Sequence, residues 1–130
     1  MAAAPAEAFR FGRALGTVAD LNDPSDVAIG ADGVVRIAET SSNRILLYRI
    51  DGRKLERVGA FGSLGDRDGD LRGPEGVAVG VDGRTYVADT GNDRIQVFDA
   101  VGGHLATIGG RGRDPGRFNR PTAIAVDALG

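Results

Sequence analysis

The stretch from Pro74 to Gly112 reads PEGVAVGVDGRTYVADTGNDRIQVFDAVGGHLATIGGRG. It aligns without a gap on the stretch from Pro24 to Gly62, PSDVAIGADGVVRIAETSSNRILLYRIDGRKLERVGAFG, with 14 identical pairs among 39. Several other pairs exchange Ile for Val, Glu for Asp or Tyr for Phe. Because self-similarity at a fixed period of about 20 to 50 residues marks repeat architectures, the chain is predicted to repeat one structural unit at an offset of 50 residues.

Shorter pieces of the same unit lie on both sides of these two copies. Pro121 opens another copy, PTAIAVDALG, at an offset of 47 residues from the second one, and we assign the missing three residues to the linker before it. Upstream, Leu15 and Val18 repeat the spacing of Leu55 and Val58. We therefore expect the end of one unit, two full units and the start of another.

Within each unit the apolar residues alternate as they do in β-strands. Val77 and Val79 flank Ala78, and three further short runs rich in β-branched and aromatic residues follow in the same unit. Turn sequences such as Asp82-Gly83 and Gly102-Gly103 separate the runs and supply the positive φ values that tight hairpins need. Each unit is therefore predicted to contain four antiparallel strands.

A four-stranded sheet that is apolar on both faces must stack against its neighbours, and radial stacking gives a β-propeller. The first strands, around Ala28, Ala78 and Ala125, alternate alanine with Val or Ile, which suits the innermost position where blades converge. The chain has no tryptophan, which disfavours a WD40 propeller. We predict an all-β fold, a β-propeller of four-stranded antiparallel blades that is present as an incomplete arc.

The run from Gly76 to Phe98, GVAVGVDGRTYVADTGNDRIQVF, resembles the NHL repeat. The resemblance is close from Pro74 to Phe118 and looser from Pro24 to Leu71. It implies a propeller that is six-bladed when complete. The first copy departs from the pattern and is expected to form an irregular blade, the departures being Arg36, Ser41, Ser42 and Arg49.

These boundaries divide the chain into a disordered N-terminal segment and a propeller segment. Propellers need about 4 to 8 blades to close, so we expect the chain to be a fragment of a longer bacterial protein. Its exposed blade faces predict self-association if the chain exists alone. The expected parts are the disordered segment 1–10, the propeller segment 11–130, and within it a blade end 11–20, a blade 24–62 with loop 63–73, a blade 74–112 with loop 113–120, and a blade start 121–130.

Composition excludes several classes of protein. The chain has 16 Lys and Arg against 18 Asp and Glu, a net charge of −2, which disfavours nucleic-acid binding through a net positive field. It has no cysteine, so disulfides, thiolate metal sites and a cysteine nucleophile are excluded. No run approaches the ~20 apolar residues of a membrane helix, and no signal peptide is recognisable, so membrane insertion is not expected and the compartment stays open.

Residues that recur at the same phase of every unit are expected to serve the fold, whereas a functional site should break the symmetry. Asp89 and Arg94 recur as Glu39 and Arg44. The acid ends the second strand and the arginine begins the third, so each pair can bridge its hairpin by charge-assisted hydrogen bonds. We interpret both pairs as structural, with a role in facing a ligand as the alternative.

The symmetry breaks in the connections from the fourth strand of one unit to the first strand of the next. Chain reversal at every strand puts these connections at the same end of the propeller, the top, as the turns between second and third strands. The first connection is acidic and lacks the glycine and glutamate that an EF-hand calcium loop requires. The second is basic and suits phosphate or carboxylate groups. The candidate binding residues of this top face are Asp66, Asp68 and Asp70 in the first connection and Arg111, Arg113, Arg117 and Arg120 in the second.

Catalysis finds no support in this segment. His104 is the only histidine, and we expect it to be exposed at the start of an outermost strand. A histidine-based zinc site needs two or three such ligands, and one peripheral histidine is badly placed for a Ser-His-Asp triad. We therefore predict no catalytic residue, no metal and no cofactor here, while the full-length parent is left open.

The predicted function is a non-catalytic scaffold that binds a protein or peptide. The resemblance to NHL proteins implies hosts such as bacterial receptor kinases, tripartite-motif ubiquitin ligases and peptide-amidating lyases. Two alternatives stay open. The chain could belong to a metal-dependent lyase or lactonase whose active-site residues lie in missing blades, or its top face could bind RNA, which the near-neutral charge disfavours.

Overall fold

A computed structural model describes residues 20–52, 54–111 and 114–127. In these ranges the chain forms two four-stranded antiparallel sheets, with strand orders β1-β2-β3-β4 and β5-β6-β7-β8. These are the two blades that the sequence predicts. The strands are β1 Pro24–Ile29, β2 Val34–Glu39, β3 Arg44–Asp51, β4 Lys54–Phe61, β5 Gly76–Val79, β6 Thr85–Asp89, β7 Arg94–Phe98 and β8 His104–Gly109.

The turn between second and third strands has the same conformation in both blades. Each is a single 3-10 turn, Thr40–Ser42 or Thr90–Asn92. Asn43 and Asp93 follow in the left-handed region, with φ of 57° and 55°. Asn and Asp tolerate this conformation better than other residues with a side chain, which explains why the sequence has them at this position in both copies. We call these two segments the upper turns.

The two sheets stack face to face, as the repeat requires. Core residues of one strand come from alternate positions, as Ile45 and Leu47 of β3 do, because successive side chains of a strand point to opposite faces of the sheet. Phe98 is 1% exposed and its ring lies 4.7 Å from that of Phe61. The residues of this core are Val34, Ala38, Ile45 and Leu47 from the first sheet, Val77, Val87 and Phe98 from the second, and Leu71 from the connection between them.

Hydrogen bonds repeat at the junction from one unit to the next. Thr40 Oγ1 donates to the carbonyl oxygen of Pro74 at 2.7 Å, and Thr90 Oγ1 donates to that of Pro121 at 2.6 Å. The backbone approaches closely at the second of these junctions, because a Cβ on Gly76 would lie only 2.9 Å from a carbonyl oxygen of the next unit. Glycine is therefore required there.

The predicted blade start at residues 121–130 is not a strand in the part that the structure describes. Residues 121–127 have no regular secondary structure, and residues 128–130 lie outside the described part of the chain. A strand needs a hydrogen-bonded neighbour. In the described ranges, no segment takes the place that β2 and β6 have beside the first strands of the two sheets. The predicted disordered segment 1–10, and the blade end 11–20 except for its last residue, also lie outside the described ranges.

The three-residue difference between the units lies in a different place from the one the sequence alignment suggested. Residues paired across β3 and β4 include Ile45 with Phe61, and their counterparts Ile95 and Ile108 pair across β7 and β8. The offset is thus 50 residues on the third strand and already 47 on the fourth. The prediction that the linker is shorter is wrong, because the hairpin between the third and fourth strands contains the missing residues.

Consequently the two connections, residues 62–75 and 109–122, have equal length and the same internal pairing. Leu64 bridges Leu71 in parallel fashion, and Arg111 bridges Phe118 in the same way. Both connections therefore turn back on themselves and insert a large apolar residue beneath the top end of the blades.

The described residues contain no helix long and apolar enough to span a membrane.

Replacing Phe98 by alanine tests the stacking of the two sheets. Because Phe98 fills the interface between them, we expect Phe98→Ala to lower the free energy of unfolding by about 3 to 5 kcal/mol, measured by urea denaturation. Leu105→Ala is the control, since Leu105 is 49% exposed, and it should cost less than about 1 kcal/mol. Equal losses in the two variants would contradict the interface.

Candidate binding site on the top face

The top face is formed by the two upper turns and the two connections, which lie against each other. The N–H of Gly91, in the second upper turn, donates to the carbonyl oxygen of Arg72 in the first connection at 2.8 Å. Asn92 Nδ2 donates to the carbonyl oxygen of Gly65 at 2.8 Å. Hydrogen bonds of this kind hold connection and turn together as one surface.

Asp89 lies beneath this surface and is wholly occupied by protein donors. Its side chain is 0% exposed and accepts hydrogen bonds from Arg94 Nε at 2.8 Å and from the N–H of Arg72 at 2.7 Å. Asn92 Nδ2 and Gln96 Nε2 also donate to it, at 2.9 and 3.1 Å. A carboxylate with four donors around it has no room for a ligand, so the structure gives Asp89 an internal role.

The partner of this carboxylate, Arg94, also holds the first connection. Its guanidinium donates to three carbonyl oxygens of that connection, those of Asp66 at 3.0 Å, Arg67 at 2.7 Å and Asp70 at 2.9 Å. The pair thus bridges the hairpin between β6 and β7 and also fixes the backbone of the connection. Guanidinium suits this task because its five donors have a fixed planar arrangement.

Gln96 completes the attachment and was not singled out from the sequence. Its Nε2 donates to the carbonyl oxygen of Asp70 at 2.6 Å, and its Oε1 accepts from the N–H of Gly69 at 2.8 Å. The available signal was a polar residue in the middle of β7, at the position where the first copy has the buried Leu46.

Glu39 and Arg44 form the corresponding pair in the first blade, where the arginine side chain is more exposed to solvent than that of Arg94. The Glu39 side chain is 2% exposed, whereas that of Arg44 is 35% exposed. Glu39 also accepts the N–H of Asn22 at 3.0 Å, and Asn22 has the same phase in its unit as Arg72. Burial acts to raise the pKa of Glu39, but hydrogen bonds from the Asn22 N–H, Arg44 and Ser42 outweigh it and hold the pKa below its ordinary value of 4.5.

The predicted acidic residues of the first connection do not converge. Asp66 and Asp68 are exposed, and Asp68 accepts the hydroxyl of Thr107 on β8 at 3.0 Å. Asp70 is half-buried and accepts the N–H of Arg67 at 3.3 Å. Within the described ranges, no three His, Asp or Glu side chains are grouped so that they could hold a metal ion.

His104 is half-buried at the start of β8 rather than exposed as predicted. Its ring meets that of Phe98 edge-on, with 5.8 Å between centroids, and this contact covers part of it. Its Nε2 lies 2.9 Å from Thr107 Oγ1, the hydroxyl that donates to Asp68. This chain of hydrogen bonds ties the acidic connection to the outermost strand.

Three of the four predicted arginines of the second connection, Arg111, Arg117 and Arg120, are exposed, and Arg113 lies outside the described residues. Arg120 has φ of 48°, a left-handed conformation that is uncommon for a residue with a side chain. Asp93 Oδ1 fixes it by accepting its N–H at 2.7 Å. At the equivalent position in the first connection, Gly73 has φ of 55° and donates its N–H to Asn43 Oδ1 at 2.8 Å.

A cleft of about 400 Å³, which we call the polar cleft after the polar and charged residues that line it, opens on the top face between the upper turns and the connections. Of the seven predicted candidates only Arg120 lines it; the others that the structure describes lie elsewhere on the connections. The sequence analysis did not identify Arg72 and Glu75 as site residues. The available signal was that both are charged, whereas the equivalent residues one unit earlier, Asn22 and Ser25, are not. The lining residues are Thr40, Asn43, Arg72, Gly73, Glu75, Gly91 and Arg120.

The charged groups of the cleft have few partners inside the protein. Glu75 is half-buried, and its carboxylate makes no hydrogen bond or ion pair with any described residue. The side chain of Arg120 is likewise without one among the same residues. Arg72 makes one long hydrogen bond, from Nε to Asn92 Oδ1 at 3.4 Å. The cleft therefore presents two guanidinium groups and one carboxylate to solvent.

The sequence model of the NHL repeat matches residues 71–98, which include the hairpin of β6 and β7 and the residue pair at its upper turn. Residues 71–98 are an NHL repeat. The expected resemblance is thereby confirmed for the second blade. The first sheet has the same strand order and the same upper turn as this NHL blade. No curated protein sequence matches the chain.

Among solved structures, the chain is similar to regucalcin from Agrobacterium tumefaciens, described as a calcium-binding protein, with a TM-score of 0.55 and 20% sequence identity. The similarity covers 78% of this chain and 33% of regucalcin, so the chain spans about a third of the length of that propeller. The predicted fold, an incomplete arc of a β-propeller, is confirmed. At this level of identity the similarity establishes the fold alone.

Removing the Arg94 side chain tests its double role in the NHL blade. Arg94→Ala leaves the buried Asp89 carboxylate without its cation, so we expect the free energy of unfolding to fall by about 3 to 5 kcal/mol. The amide protons of residues 62–75 should also exchange faster with deuterium, because their carbonyl anchors are lost. Arg44→Ala, at the more open pair, should cost clearly less in urea denaturation. An unchanged exchange pattern in the connection would contradict this role.

The depressed pKa of Glu39 predicts a pH dependence of stability. Since the folded-state pKa lies below the unfolded value, the ionised group stabilises the fold above about pH 4.5, and this contribution is lost as the pH falls through the folded pKa. Glu39→Gln should therefore lower the free energy of unfolding at pH 7, and the difference from wild type should narrow as the pH falls below 4.5 and through the folded pKa. The exposed Glu56→Gln is the control. A gap that stays constant over this range would show that Glu39 ionisation contributes nothing.

Proposed function

We propose that this NHL propeller segment is a non-catalytic scaffold that binds a protein or peptide through its top face. The observation that carries the proposal is the relation between the two connections. They share one backbone arrangement, and they carry side chains of opposite charge at two equivalent positions. A rigid frame with variable side chains suits recognition, as in other folds whose binding residues lie on loops held by a regular framework.

The backbone equivalence extends to single hydrogen bonds. The N–H of Asp70 donates to the carbonyl oxygen of Arg67 at 3.0 Å, and the N–H of Arg117 donates to that of Asp114 at the same distance. At both positions the charge is reversed between the two connections. The scaffold thus keeps the backbone and changes the chemistry that a partner meets.

A second candidate is a part of a metal-dependent propeller enzyme whose ligands lie in blades outside this chain. The similarity to a calcium-binding propeller favours it. Against it, the buried carboxylates Asp89 and Glu39 are occupied by protein donors. A calcium titration of a protein that includes those further blades, followed by calorimetry, separates the two, since stoichiometric binding there would favour the second candidate. RNA binding is the weaker alternative, because acidic and basic surfaces adjoin each other on the top face.

Charge reversal in the first connection tests the scaffold. Asp66 is exposed, and its carboxylate makes no hydrogen bond among the described residues, so Asp66→Arg should leave the fold intact. On an array of short peptides graded in net charge, we expect the variant to bind acidic peptides about two- to fivefold more tightly than wild type, and basic ones correspondingly less.

Glu56→Arg makes the same charge change on the outermost strand β4, where the residue is exposed. It should leave peptide selectivity as in wild type. Equal shifts in the two variants would mean that net charge alone decides binding. The absence of any bound peptide would overturn the proposed function.

A further inference from the structure

We infer that the polar cleft of the top face binds a peptide segment that carries both an acidic and a basic side chain, an inference that rests on the binding role proposed above. The cleft lies where the first connection, the end of the second and both upper turns meet. Its volume of about 400 Å³ is at the lower end of the range of small-molecule pockets, which suits a few side chains of a peptide. Binding there depends on which of its polar groups have no partner within the protein.

The two arginines supply the positive part of the site. The backbone of Arg120 is held by Asp93 in a left-handed conformation that has glycine, Gly73, at the equivalent position of the first connection. Glycine would adopt this conformation without strain, so an arginine here lowers the stability of the fold. Its side chain makes no hydrogen bond or ion pair with the described residues that would offset this loss. Such a residue is a candidate for a role outside the fold.

Arg72 is placed by packing and by its main chain. Its backbone N–H donates to Asp89, and its carbonyl oxygen accepts the N–H of Gly91. Its side chain lies directly over Gly91, where an added Cβ would come within 2.6 Å of the arginine Cγ. The stem of the arginine is therefore fixed, while the guanidinium is exposed. A fixed guanidinium loses less entropy on binding a carboxylate than a mobile one does.

Glu75 supplies the negative part. It stands just before β5, and its backbone N–H donates to the carbonyl oxygen of Ala88 at 3.2 Å. The carboxylate is half-buried, yet the arginines of the same cleft do not pair with it. Partial burial strengthens the attraction of a carboxylate for a cation, because water screens it less. Glu75 is therefore the group that a lysine or arginine of the ligand would meet.

The polar side chains among the remaining lining residues form hydrogen bonds within the protein, so the three charged residues determine which ligand fits. The Thr40 hydroxyl donates to Pro74, and Asn43 Oδ1 accepts the N–H of Gly73. Two guanidinium groups and one carboxylate in a single cleft fit a ligand of mixed charge. A polyanion such as RNA gains from the arginines but is repelled by Glu75, and a bare metal ion finds only one carboxylate.

A charge-exchange experiment tests the assignment. The probes are a short blocked glycine peptide that carries two aspartates and one lysine, and a sister peptide in which glutamine replaces the lysine. Affinities are measured by fluorescence anisotropy with wild type and Glu75→Gln. We expect Glu75→Gln to weaken binding of the lysine peptide about fivefold and to leave or improve binding of the glutamine peptide.

Arg120→Gly should weaken binding of both peptides, because both carry the aspartates that the arginine would meet. Glycine fits the left-handed backbone, so this variant should be at least as stable as wild type while binding both aspartate peptides about fivefold more weakly. Glu56→Gln and Arg57→Gln make the matched charge changes on exposed positions of β4 and should change neither affinity.

The outcomes separate this inference from the proposed function. Suppose that wild type binds the lysine peptide, but Glu75→Gln weakens the binding of both peptides equally or of neither peptide. The cleft assignment is then wrong, although the chain does bind peptides. If binding responds to Asp66→Arg and not to the cleft variants, the top face binds peptides elsewhere and the cleft assignment again fails. If no peptide binds to wild type, both proposals fail.

Discussion

The ion pair between Asp89 and Arg94 is the constraint on which the top of the NHL blade depends. The two residues face each other where β6 and β7 begin their hairpin, so the pair fixes the register of these strands. A buried ion pair adds little net stability compared with apolar residues of the same size, but it penalises every arrangement that leaves one charge alone. Its value here is that it specifies one geometry, because the same guanidinium also holds three carbonyl oxygens of the connection.

Specificity of this kind explains how one backbone supports different surfaces. The junction hydrogen bonds from Thr40 and Thr90 recur, and so do the left-handed residues at Asn43 and Asp93. What differs between the units are the exposed side chains that these interactions leave free. The fold and the charge of the surface thereby depend on different residues of the same short segment, and the cleft lies where the two sets meet.

Much of the fold could be predicted from the sequence, because its signals are local. Alternating apolar residues and Asp-Gly turns predict the strands, and the repeat predicts the stacking. The position of the three-residue difference could not be predicted, since Leu55 and Leu105 align well in sequence although the hydrogen-bond register assigns them to different places. The cleft could not be predicted for a related reason. Nothing in the local sequence distinguishes Arg72 and Glu75 from other charged residues, and only the folded chain places the upper turns of two blades beside them.

The site residues predicted from charge are therefore partly separated from the cleft that the structure shows. A run such as Asp66 to Asp70 is conspicuous in sequence, yet its backbone carbonyls serve Arg94 and its carboxylates point to different neighbours. The hairpin between β3 and β4 has a consequence of another kind. It accommodates three additional residues at the rim opposite the top without displacing the connection that follows. This rim is therefore the place where a tag or a grafted loop would fit while the top face keeps its shape.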